Sequence, residues 1–155
     1  MGYTHYFSFN RPRGQAMALE ETYKKAIADC QRIVRRYYAD NGGLAGYTAH
    51  CPIGKYAGLQ VNGARDEACE VFELREHFAQ NLDGTLAGFC KTNRREYDLV
   101  VTACLAVLKH RLGDAMALSS DGKAFDWQSG VEYARKVTGL KIKNPIPMGK
   151  IAKAS

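Results

Sequence analysis

The chain has 155 residues, 46% of them hydrophobic and 25% charged, with a formal charge of +6. That length suits one domain able to bury roughly 70% of its unfolded surface, and no apolar run reaches the roughly 20 residues needed to cross a bilayer. The basic excess lies wholly after Glu132, in Arg135, Lys136, Lys141, Lys143, Lys150 and Lys153, so it predicts a solvated basic tail, and nucleic acid is disfavoured as a partner.

Tyr3 to Phe9 mixes aromatic and polar residues in near alternation, as a strand covered on one face does. Arg11-Pro12-Arg13-Gly14 breaks it. A first helix is predicted from Gln15 to Tyr38, with Leu19, Tyr23, Ala26, Ile27, Cys30, Ile33, Val34 and Tyr37 at helical spacing. Asn41-Gly42-Gly43 ends it, because glycine accepts the left-handed conformation. Leu44 to Cys69 is glycine-rich, with one strand near Gly58 to Asn62 and a turn at Asn62-Gly63. Glu70 to Phe78 alternates: Phe72, Leu74 and Phe78 point one way, Glu73, Arg75 and His77 the other. Asp83-Gly84 then predicts a hairpin, with Thr85 to Thr92 returning as the partner strand.

The second helix spans Tyr97 to Leu112. Tyr97, Val100, Val101, Cys104, Leu105, Leu108 and Leu112 form its apolar stripe. Glu96 and Asp98 sit at its start and Lys109, His110 and Arg111 at its end, where the helix dipole favours each sign; Gly113 stops it. Ala115 to Ser119 reads as a short strand and Asp121-Gly122 as a turn. A third helix runs from Trp127 to Val137 with Asp126 as its N-cap. The order β-α-β-β-β-α-β-α predicts an α+β fold, a largely antiparallel sheet with helices packed on one face. Residues 1–140 form the globular domain, and Lys141 to Ser155 a basic arm.

Five cysteines, at positions 30, 51, 69, 90 and 104, include no Cys-x-x-Cys pair. They read as reduced thiols used for packing, with no metal site and no cofactor. The start lacks the apolar core of a signal peptide, and Tyr6 stands where a myristoylation signal needs Ser or Thr, so a cytoplasmic location is expected. There is no Gly-x-Gly-x-x-Gly, no P-loop and no Gly-x-Ser-x-Gly elbow.

Polar groups gather instead at predicted element ends. Lys91 and Thr92 close a strand, Tyr97 and Asp98 open a helix, and Ser120 and Asp121 precede another. Such ends present free N–H groups suited to phosphate. Lys91 adds charge, Thr92 and Ser120 add hydroxyls, and Tyr97 or Trp127 a stacking surface; Tyr3, His5 and Tyr6 come from the opening strand. Each has a plainer reading too. Asp98 serves the helix dipole, Asp121 a turn, Trp127 the core and His110 a helix terminus.

Met1-Gly2-Tyr3-Thr4-His5-Tyr6, Phe89-Cys90-Lys91-Thr92, Tyr97-Asp98-Leu99-Val100-Val101, Ser119-Ser120-Asp121-Gly122 and Asp126-Trp127 together resemble a family of small uncharacterised phage and prophage proteins, over most of the chain. The resemblance implies an accessory protein that binds a small nucleotide-type ligand, by analogy with accessory proteins that sequester cyclic dinucleotide or ADP-ribose immune signals. A phosphodiesterase or hydrolase using His5, Asp98, Asp121 or His110 is the alternative, and a protein-binding inhibitor of a host factor a third; binding is expected before turnover, and a homo-oligomer stays open.

Overall fold

The computed structural model describes residues 2–10, 16–45, 58–78 and 88–148. They form three helices and two small antiparallel sheets, an α+β fold as expected. In chain order the elements are β1 (Thr4–Phe9), α1 (Ala16–Asn41), β2 (Leu44–Ala45), β3 (Leu59–Gly63), β4 (Phe72–Leu74), β5 (Phe89–Lys91), α2 (Asp98–Leu112), β6 (Met116–Ser120) and α3 (Ala124–Thr138). The sequence order is retained, with the two-residue β2 added. The predicted Asp83-Gly84 hairpin lies outside the described residues.

One sheet is ordered β5-β1-β6, the other β2-β3-β4. This corrects the expected hairpin between Glu70–Phe78 and Thr85–Thr92. β4 pairs with β3, setting Leu59 opposite Leu74 and Val61 opposite Phe72, whereas β5 pairs with β1. Burial explains the choice, since Leu59, Val61, Phe72 and Leu74 are all buried and the pairing puts them on one face. The two sheets still touch, as the Glu70 N–H donates to the Lys91 carbonyl at 3.1 Å. Asn62-Gly63 makes no tight hairpin. Asn62 Oδ1 instead accepts the Gly63 and Cys69 N–H groups at 2.8 and 3.0 Å, closing the loop between β3 and β4.

α2 is the central helix, packed between α1 and α3. The predicted stripe is buried, but so are Thr102, Ala103, Ala106 and Val107. A helix without charge from Leu99 to Leu108 can be covered all round, and this one is. Arg111 donates to the buried Asp29 of α1 at 2.6 Å, tying the last turn of α2 to the middle of α1. Gly42, Gly43 and Gly113 take positive φ where α1 and α2 stop. Beyond α3 the chain is docked rather than free as far as Ile146. Ile142 and Ile146 join the core, and Arg135 Nε donates to the Ile142 carbonyl at 2.6 Å.

Candidate functional site

β1 is the middle strand of its sheet, and its alternation sorts the predicted site residues onto two faces. Tyr3, His5 and Phe7 turn inward and are buried, while Tyr6 and Ser8 turn outward and are exposed. The register carries this across the sheet. Cys90, His5 and Ser120 form an inward row, and Phe89, Tyr6 and Ser119 an outward one. Lys91 stands opposite Thr4 in the next row. There Asp121 closes the β6 side, exchanging hydrogen bonds with Thr4: its N–H donates to the Thr4 carbonyl at 2.9 Å, and its Oδ2 accepts the Thr4 N–H at 3.0 Å.

The inward face holds a closed hydrogen-bond network. His5 Nε2 lies 2.6 Å from Asp98 Oδ1, and Nδ1 lies 2.7 Å from Ser120 Oγ. Thr92 Oγ1 donates to the same Asp98 oxygen at 2.6 Å. Ser120 Oγ also accepts the Gly122 N–H at 2.9 Å and the Trp127 indole N–H at 3.2 Å. One proton arrangement satisfies every member: Nε2–H donates to Asp98, the Ser120 hydroxyl donates to Nδ1, and both Ser120 lone pairs are then taken. The His5 ring meets Trp127 edge-on at 4.9 Å and Tyr3 at 5.1 Å.

The fold thus brings His5, Thr92, Asp98, Ser120 and Trp127 together, but as an interior. Trp127 is fully buried, which corrects its expected role as a stacking surface. α3 begins at Ala124, earlier than predicted, and turns the indole into the core. Lys123, not Asp126, is the N-cap, and Asp126 reaches back to the Lys123 N–H at 2.8 Å. Burial opposes ionisation of Asp126, yet the Lys123 N–H and Arg94 hold its carboxyl below the usual range. Tyr97 is likewise no platform. Its buried hydroxyl donates to the Glu70 carbonyl at 2.6 Å, and burial, with the neighbouring Cys90, raises its pKa. His110 stands at the other end of α2, about 18 Å from Asp98 by helix rise, in a separate hollow of about 230 Å³ lined by Lys109, Lys141, Lys143, Asn144 and Pro145.

Three predicted residues stay accessible, namely Tyr6, Lys91 and Asp121, and all belong to the outward rows. The residue that sequence reasoning passed over is Phe89. It lies directly opposite Tyr6, and the two side chains are 47% and 46% exposed. Its signal was the alternation Phe89-Cys90-Lys91, which puts Phe89 on the same side as a lysine. The rim adds Arg94, whose guanidinium lies 4.0 Å over the Tyr3 ring and bonds Asp126 at 3.0 Å. Asn93 and Arg94 both hold positive φ, a backbone state unusual outside glycine.

Among the described residues no cluster of His, Cys, Asp or Glu is arranged to hold a metal ion, and no helix is long and apolar enough to cross a membrane. No family model, no curated protein and no solved structure matches the chain.

Proposed function

We propose that this chain binds a small nucleotide-type ligand on the outward face of the β5-β1-β6 sheet, with a base against Tyr6 and Phe89 and a phosphate at Lys91. The observation that carries the reading is the cross-strand aromatic pair, half-exposed and one register row from a lysine. Stacking on an aromatic ring contributes about 1–3 kcal/mol per base, and a charge-assisted contact to phosphate about 1.5–3 kcal/mol. Asp121 and Ser119, on the β6 side of the same two rows, offer a carboxylate and a hydroxyl to a ribose or a base edge. The biological role follows the phage resemblance: an accessory protein that sequesters a nucleotide immune signal in the host cytoplasm.

A hydrolase is the second reading, favoured by the Ser120–His5–Asp98 chain of hydrogen bonds. It ranks lower because Ser120 Oγ already accepts two N–H groups while donating to His5, leaving no lone pair to attack with, and His5 has no exposed surface. Thermal shift and mass spectrometry against cyclic dinucleotides, ADP-ribose and AMP test both readings. The ligand should be recovered intact, and Tyr6→Ala, Phe89→Ala and Lys91→Ala should each weaken binding about tenfold or more. Full affinity in all three folded variants would rule out this face, and converted ligand would favour the hydrolase.

A further inference from the structure

We infer that the outward face accepts a second nucleobase, so that its ligand carries two linked nucleosides rather than one. This rests on the nucleotide reading above and names its ligand class. The observation is a hollow of about 220 Å³ beyond the aromatic pair, lined by Tyr6, Ser8, Gly88, Ala117, Leu118 and Ser119. Along β1 the outward face therefore changes character every second residue. Thr4 brings Lys91 and its charge, Tyr6 brings Phe89 and a stacking surface, and Ser8 brings Ala117 and the hollow.

Residues two apart on a strand are separated by about 7 Å, roughly twice the ~3.4 Å rise of stacked bases. Two bases held at that spacing are splayed apart rather than stacked on each other, which is how open sheet faces take unpaired nucleotides. The Tyr6 side chain belongs to both places, standing between them as a partition. Small residues keep the hollow open. A Cβ on Gly88 would come within 1.9 Å of the Phe7 carbonyl oxygen, and the Phe7 N–H donates to the Gly88 carbonyl at 2.7 Å. Only glycine permits that backbone approach, which sets the Gly88 main chain against β1 as one wall of the hollow, with the small Ser8 and Ala117 beside it. Among the described residues no carboxylate lines the hollow, and the Ser8 and Ser119 hydroxyls can each donate to or accept from a base edge.

Linked nucleosides occur as a free dinucleotide and within a single strand, and the test separates these sources. The full chain is titrated with AMP, ADP-ribose, the linear dinucleotide pApA and a short single-stranded oligoadenylate, in the parent and in Ala117→Leu, which fills the hollow from an exposed position. Folding of the variant is checked by its melting temperature. The two-base probes should bind about tenfold or more tighter than AMP or ADP-ribose, and that ratio should collapse towards one in Ala117→Leu. Backbone resonances of Ser8 and Ala117 should shift with pApA and not with AMP. An oligoadenylate binding far more tightly than pApA assigns the face to a single strand, and equal affinity assigns it to a dinucleotide; both support the inference. AMP binding as tightly as pApA through Tyr6 would overturn it while leaving the nucleotide reading intact. No binding by any probe would overturn both.

Discussion

At Tyr3 a phenol hydroxyl is buried under Arg94 and so close to Gly122 that a Cβ there would lie 2.2 Å from it. Burial, and then the charges of Asp98 and Asp126, push its pKa up to about 12 from 10.0. The unfolded chain ionises this phenol near its ordinary value while the folded chain keeps the proton. Stability should therefore fall as pH rises from about 10 to about 12 and stop responding to this group above that. Denaturant midpoints across that range, compared with Tyr3→Phe, measure the effect. The variant should show the shallower fall; equal slopes would mean the hydroxyl ionises freely in the folded protein. Among the predicted site residues, His5, Thr92, Asp98, Ser120 and Trp127 do come together in the fold. Their exposure could not be read from the sequence, because whether His5 or Tyr6 meets solvent depends on which face of β1 the helices cover.

Between elements, α2 and α3 approach closely at Gly130, where an added Cβ would lie 2.0 Å from Thr102 Oγ1 and 3.1 Å from the Ala103 nitrogen. In an exposed helix interior, replacing glycine by alanine stabilises by up to about 1 kcal/mol. Here the sign should reverse. Gly130→Ala must part the helices or displace Thr102, which bonds the Asp98 and Leu99 carbonyls, at a cost of about 1–3 kcal/mol. A melting temperature lowered by several degrees is expected, and a rise would show that the interface yields freely. Helices were the most legible elements, since period and end signals are local: α2 was placed within one residue of its observed start. Strand partners were not. Glu70–Phe78 and Thr85–Thr92 read as a hairpin because sequence shows neighbours, whereas β5 joins a strand more than eighty positions earlier. Phe89 was missed for the same reason, as only its register with Tyr6 gives it meaning.

For the molecule as a whole, the basic segment after α3 is part of the domain as far as Ile146. Cutting the chain after Asn144 removes Ile146, 8% exposed, and the Ile146 N–H bond to Asn144 Oδ1 at 3.0 Å. Loss of one buried aliphatic side chain costs about 1.5–3 kcal/mol. Such a truncation should lower the melting temperature by about 4–10 °C while leaving a folded protein; an unchanged value would mean that Ile142 alone anchors the segment.

The placement of β1 between β5 and β6 also fixes when the ligand face can come into being. The first strand made has no sheet partner until residues 89–91 exist, and its second edge stays open until residues 116–120 follow. During synthesis Tyr6 waits as an aromatic on an unpaired strand, while α1 can already coil from local contacts. The surface assigned to the ligand is therefore among the last things the chain completes. A nascent or prematurely ended chain stopping before β6 carries Tyr6, Phe89 and Lys91 but lacks the strand that closes the hollow.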